Sequence, residues 1–369
     1  MALCLAESLI ECAGFDAADQ MRRYVRWYRE GYMSLTGRCF DIGNTTRAAL
    51  QRFEHTGEPW CGSDDPCTAG NGSIMRLAPV VLAFAPSPSE TIAMAARSSR
   101  TTHGARDAVD GCRYLAALLL GALGGASKED LLGSVFEPLA DLWAHEPLTP
   151  AITEVAAGSF RRRNPPAIRG TGHVVRALKA ALWAFHHGGS FRDGALLAVN
   201  LGEDADTTGA IYGQLAGAFY GETGIPGAWC SKVAAREIIS KIAERLFALA
   251  QQYDSRLQFG GSSPVERGRT AVMPNWKATA RGDEPAAARH HADQPGARAV
   301  HAPAGAADRR AAGSRSAPSQ DTVLSPWRWH CLSTASVLVL GRRIASGGGR
   351  QRIAGCPLRE TAATQKSSR

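Results

Sequence analysis

Through nearly all of residues 1–250, apolar side chains recur every three to four positions, and the alternation of a half-buried strand is almost absent. A chain patterned this way buries its apolar faces helix against helix. In "TGHVVRALKAALWAFHHGG" the residues Val174, Val175, Leu178, Ala181, Leu182 and Phe185 fall on one face of a 3.6-residue helix, and a glycine pair closes it. Further helices are expected over 19–30, 43–54, 72–84, 89–99, 104–122, 128–140, 190–200, 206–220 and 232–250. The links between them are short and rich in Gly, Pro, Asp and Ser, which predicts one compact all-α, multi-helix domain over residues 1–250. The opening "MALCLAESLIECAGF" reads as the middle of an amphipathic helix with no cap or turn before it, so an upstream part of the domain is expected to be missing.

After about Tyr253 the sequence turns Arg-, Ala-, Gly- and Pro-rich and loses sustained periodicity. Such composition buries too little apolar surface to offset its ordering entropy, so 251–369 is expected to be a basic, mostly disordered tail. A local element is conceivable only around Trp327 to Leu340. The arginine bias fits an ordinary disordered extension, or translation of GC-rich DNA in an unintended frame; a nucleic-acid-binding arm is a third reading.

Where the charge sits decides what it means. The chain carries a formal charge of +8, from 42 Lys+Arg and 34 Asp+Glu. Residues beyond Ala250 hold 18 of the basic and 8 of the acidic groups, which leaves 24 against 26 before it. The globular part is therefore close to neutral, and no nucleic-acid partner is expected for it. Nine cysteines with no CxxC pattern argue against structural zinc and for a reducing cytoplasm. No secretory pattern opens the chain and no apolar run approaches a membrane span, so no membrane partner is expected. With no long exposed apolar stripe, a monomer is expected.

The most informative segment is "VNLGEDADTTGAIYGQLAGAFYG". Asp204, Asp206 and Thr207 gather two carboxylates and a hydroxyl just ahead of a small, apolar helix, and hard oxygen ligands of this kind suit Mg²⁺ or Ca²⁺. Positions i and i+2 diverge on a regular helix, so the ligands converge only if Asp204 lies in the turn and Asp206 at the helix start. The alternative is a plain N-cap, with Asp204 or Asp206 holding the first backbone amides.

A second segment, "DDPCTAGNGSIMRLAPVVLAF", places Gly70, Asn71, Gly72 and Ser73 before an apolar run. Its amides could hold phosphate oxygens, or it is a turn with a serine cap. In "SSRTTHGARDA", Thr101 and Thr102 are candidate caps for a helix beginning near Gly104, with His103 at its mouth as a ligand contact or as a structural group. His173, after Gly170-Thr171-Gly172, carries the same two readings, while His186 and His187 read as the polar end of a helix.

Taken in order, "AGNGSIMRLAPV", "RTTH", "GTGHVVRALKAALWAF" and "VNLGEDADTTGAIYGQLAGAFYG" resemble the ADP-ribosylglycohydrolase family, also called the dinitrogenase reductase-activating glycohydrolase family. The resemblance implies an all-α fold and two magnesium ions in the complete site, with Mn²⁺ as a substitute. It makes Asp204, Asp206 and Thr207 the C-terminal half of the metal ligand set. It also lays Gly70, Asn71, Gly72 and Ser73 along the diphosphate or ribose of ADP-ribose, with His103, Gly172 and His173 lining the same cleft. Many relatives carry an aromatic residue, often tyrosine, at the place of His173.

The sequence departs from the family pattern at its front. Relatives carry a glycine-rich segment with a glutamate and then a Thr-Asp-Asp-Thr motif ahead of a stretch like "MALCLAESL", so the remaining metal ligands and the catalytic groups are expected upstream of Met1. Ser63-Asp64-Asp65 is the nearest imitation and belongs to the loop before Gly70. The implied reaction is hydrolysis of the glycosidic bond between ADP-ribose and a modified protein or small molecule, through an oxocarbenium-like transition state with metal-positioned water. Two classes remain open: an enzyme whose start is misplaced or truncated, and a non-catalytic fragment or ADP-ribose-binding module. Arginine, serine and other acceptors are not distinguished.

Overall fold

The computed structural model describes residues 1–133 and 140–259, and the expectations for the tail, including Trp327 to Leu340, lie outside the described residues apart from its first few positions. Fourteen α-helices are described: α1 (Ala2–Glu11), α2 (Ala17–Glu30), α3 (Asn44–Thr56), α4 (Ala78–Phe84), α5 (Pro88–Arg100), α6 (Arg106–Leu123), α7 (Lys128–Leu131), α8 (Ala140–His145), α9 (Pro150–Ala156), α10 (Val174–His187), α11 (Phe191–Asn200), α12 (Ala205–Tyr220), α13 (Gly227–Cys230) and α14 (Arg236–Phe259). Short 3-10 turns cover Pro66–Thr68, Ile74–Arg76 and Glu222–Gly224. Among the described residues there is no strand, only two isolated backbone bridges. No helix there is long and apolar enough to cross a membrane.

The core is organised around α6 and α12. Every residue of α6 from Ala108 to Leu123 is buried. Leu115, Leu118 and Leu119 are fully buried, each worth about 1.5–3 kcal/mol in apolar area removed from water. Asp110 and Arg113 tolerate burial in that helix because they pair at 2.9 Å, and Asp110 also accepts the Thr149 amide at 2.8 Å. Helix α12 is buried from Thr207 to Ala218, and its small residues let α10 and α11 pack close against it. Helix α5 lies on the other side of α6, and α14 covers α1 and α4.

Several expectations change here. The helix over 72–84 is broken into the 3-10 turn Ile74–Arg76 and α4. Pro79 has no amide proton for the helical ladder, and Gln214 of α12 inserts at the neighbouring step, between the Ala78 amide and the Ile74 carbonyl. Its Oε1 accepts the Ala78 amide at 2.7 Å and its Nε2 donates to the Ile74 carbonyl at 3.1 Å. The helix expected to begin near Gly104 begins at Arg106 instead. Thr101 closes α5, bonding the Ser98 carbonyl at 2.8 Å, and so does not cap α6. The helix expected over 128–140 is, among the described residues, only the single turn α7, which ends at Leu131; helices α8, α9 and α13 lie outside the expected ones, and the last helix runs on to Phe259, with Tyr253 packed edge-on against Phe84.

Candidate active site

Four loops meet at one end of the α6/α12 core. The turn between α11 and α12 reverses the chain through two successive left-handed residues, Gly202 (φ 75°) and Glu203 (φ 51°). Asp204 follows at the N-cap of α12, yet its side chain makes no capping bond. Its amide donates to the Gly170 carbonyl at 2.8 Å and its Oδ2 accepts from Asn71 Nδ2 at 2.8 Å. The capping alternative for Asp204 is therefore not what the structure shows; its carboxylate is turned towards the glycine loop. Asp206 stands in the first turn of α12, where its Oδ1 accepts the Thr207 amide at 3.0 Å. Thr207 is nearly buried and its Oγ1 donates to Met75 Sδ at 3.6 Å.

Asn71 joins these pieces. Its amide donates to the Gly172 carbonyl at 3.0 Å, and its Nδ2 reaches the Thr171 carbonyl at 3.1 Å as well as Asp204. Beside it Gly70 bridges to His173, and the Val174 amide donates to the Ala69 carbonyl at 3.0 Å. Gly172 is exposed, and a Cβ there would stand 3.8 Å from Asp204 Oδ2. His173 is the exposed N-cap of α10, its Nδ1 accepting the Val175 amide at 3.3 Å. Desolvation holds its imidazole below the ordinary histidine value, with Arg176 acting the same way and Asp107 opposing.

The glycine loop offers fewer free amides than its sequence suggests. Gly70 donates to Thr68 O at 2.6 Å and Asn71 to Gly172 O, whereas the amides of Gly72 and Ser73 meet no acceptor among the described residues. The Ser73 side chain faces the core, where its Oγ meets Ser99 Oγ at 2.9 Å and Cys112 Sγ at 3.5 Å, and it makes no capping bond.

His103 is not at a helix mouth. Only 2% exposed, it lies beneath the loop, and a Cβ on Gly72 would stand 2.9 Å from its Cε1 and 3.1 Å from Thr46 Oγ1. Its Nδ1 shares a hydrogen bond with Thr102 Oγ1 at 2.8 Å. Burial, reinforced by the Arg76 charge, pushes its pKa down to about 3, so the imidazole is neutral at pH 7.

Three contributors were not singled out from the sequence. Arg76 lies under the loop with its Nη1 donating to Gly72 O at 2.8 Å; an arginine inside the apolar run "IMRLAPVVLAF" was the available signal. Thr46 is nearly buried at the start of α3, in "GNTT". Gly170 passes so near Thr208 that a Cβ would stand 2.3 Å from Thr208 Oγ1.

Together the loops bring Gly70, Asn71, Gly72, Gly172, His173 and Asp204 side by side, with Asp206 and Thr207 at the adjoining start of α12. Among the described residues no group of three or more His, Cys, Asp or Glu side chains forms a metal cluster by itself. The oxygens of Asp204, Asp206 and Thr207 are hard donors all the same, and Mg²⁺ is commonly held by one or two carboxylates with water and substrate oxygens completing its shell. The donor set fits part of such a shell.

Comparison with known proteins gives the chain its relatives. The chain is 44% identical over 254 residues to the ADP-ribosylarginine hydrolase Tri1 of Pseudomonas putida strain GB-1, an alignment covering 69% of this chain and 66% of that protein. It is 40% identical to the ADP-ribosylarginine hydrolase Tri1 of Serratia proteamaculans strain 568, covering 69% and 67%. The chain thus spans just under two thirds of the length of the Pseudomonas relative. Among solved structures, one described as an ADP-ribosylglycohydrolase-related protein complex superposes with a TM-score of 0.58 at 45% identity, covering 68% of this chain and 79% of that one. The sequence model described as ADP-ribosylglycohydrolase matches residues 1–256, and the chain belongs to that family.

Proposed function

We propose that the protein is a hydrolase that releases ADP-ribose from an ADP-ribosylated arginine side chain. The observation that supports this reading is the Asn71–Asp204 bond, which ties the glycine loop to the acidic start of α12; on this reading the diphosphate lies along the loop and the ribose at the acidic turn. Arginine is the acceptor favoured because the relatives at 44% and 40% identity are named for it, whereas the ARH3 hydrolase of Homo sapiens is 23% identical.

In this reading the free amides of Gly72 and Ser73 donate to diphosphate oxygens, and His173 and Gly172 border the ribose. Asp204, Asp206 and the Thr207 hydroxyl would hold Mg²⁺, or Mn²⁺ in its place. A metal bound there supplies polarisation of ribose hydroxyls and of the attacking water. The two carboxylates also stabilise positive charge developing at the anomeric carbon. Buried and neutral, His103 supports the loop and does not donate a proton at pH 7.

The test is release of free ADP-ribose from ADP-ribosylated arginine and serine peptides, with Mg²⁺ or with EDTA. Magnesium-dependent turnover of the arginine conjugate supports the proposal. Binding of ADP-ribose without turnover of either conjugate replaces it with a non-catalytic ADP-ribose-binding module.

A further inference from the structure

Arg76 is a buried cation whose hydrogen bonds all go to neutral groups. It is 2% exposed. Its Nε donates to Tyr24 Oη at 3.1 Å, Nη1 to Gly72 O at 2.8 Å and Nη2 to Thr102 Oγ1 at 2.6 Å, and the guanidinium stands 4.8 Å from the Tyr24 ring centroid. No carboxylate pairs with it among the described residues. Arg113, the other deeply buried arginine in the core, is paired with Asp110.

We infer that Arg76 is a positioning residue of the diphosphate subsite, orienting the Gly72–Ser73 peptide from beneath the loop. This rests on the functional reading above. In a trans peptide the carbonyl and the following amide point in opposite directions. Drawing Gly72 O down to Arg76 therefore turns the Ser73 amide up and away from the core. That amide is one of the two in the loop with no protein acceptor. The same guanidinium holds Thr102, whose hydroxyl holds the His103 ring that Gly70 and Gly72 rest on. One cation thus sets the height of the loop and the direction of its donor.

The experiment is calorimetric titration of the full chain with ADP-ribose, comparing wild type, Arg76→Lys and Arg76→Gln, with thermal midpoints recorded in parallel. Arg76→Gln should weaken ADP-ribose binding about tenfold and Arg76→Lys should restore most of it, because the lysine keeps the charge but not the fork of hydrogen bonds. Equal losses in both variants, or no loss in Arg76→Gln, would overturn the inference while leaving the functional reading intact. If Arg76→Gln does not fold, Thr102→Asp decides. It sets a carboxylate against the guanidinium and should weaken ADP-ribose binding in a folded protein; unchanged affinity there sinks the inference. A wild-type chain that binds neither ADP-ribose nor ADP overturns both the inference and the reading beneath it.

Discussion

Asn71 donates its side-chain amide to the Asp204 carboxylate at 2.8 Å across 133 positions of sequence. The same side chain bonds the Thr171 carbonyl, and its backbone bonds Gly172, so one residue fastens the loop before Ile74, the loop before α10 and the start of α12. Asp204 is thereby freed from capping its own helix and turned towards the glycine loop.

Removing that side chain tests the junction. Asn71→Ala should lower unfolding stability by about 1–2 kcal/mol in urea, the range for losing a partly exposed hydrogen bond to a charged group. Asn71→Asp should be worse, since it sets a second carboxylate beside Asp204. Equal stabilities for the two variants would show that the Asp204 contact contributes little.

Gly170 and Thr208 should behave as a coupled pair. Gly170→Ala drives a Cβ to within 2.3 Å of Thr208 Oγ1, and Thr208 is fully buried with no room to withdraw. A cost of about 1–3 kcal/mol is expected from overpacking. Thr208→Ala removes the clashing hydroxyl, which itself has no hydrogen-bond partner. The double variant should recover part of the loss in a double-mutant cycle; strict additivity would place the strain elsewhere.

His103 predicts how stability depends on pH. Its folded pKa of about 3 lies below the unfolded value of about 6.5, so the folded state binds the proton less readily than the unfolded state does. Its contribution is fully present above pH ~6.5 and is lost as pH falls from there towards 3, at up to about 1.4 kcal/mol per unit. His173 and His186 are also depressed, so the measurement is the difference in slope between wild type and His103→Gln. Parallel stability curves below pH 6.5 would mean that the buried ring already gains its proton in the folded state.

The acidic start of α12 should govern metal dependence. Asp204→Asn or Asp206→Asn should reduce Mg²⁺-dependent release of ADP-ribose by at least about 100-fold, and Thr207→Ala by less, because a hydroxyl is the weaker ligand. Turnover that survives either Asp→Asn change would move the metal, or the chemistry, away from these residues.

Much of this was legible in the sequence because it is local. The 3.6-residue spacing in α10, the turn required at Asp204 and the small residues of α12 all act within a few positions, and the ordered motifs pointed to the family. The break at Pro79 was harder to see, since the group that inserts beside it, Gln214, lies 136 positions from Ala78. His103 was misplaced for a related reason: Thr101 and Thr102 look like helix caps locally, yet Thr102 is claimed by Arg76 and Thr101 by Ser98.

By itself, then, the sequence determined that this chain packs as helices, and which residues could offer oxygen ligands or free amides, because propensity, periodicity and donor chemistry are carried by each residue and its near neighbours. Tertiary structure alone decided which of those groups are spent. The amide of Gly70 is consumed within its own loop and that of Asn71 by Gly172 in the loop before α10, those of Gly72 and Ser73 are left over, Ser73 Oγ turns inward and Asp204 turns towards Asn71. A hydrogen-bonding group is available to a ligand only when the fold has not already satisfied it, and for Asn71 and Asp204 that depends on partners 100 and 133 positions away.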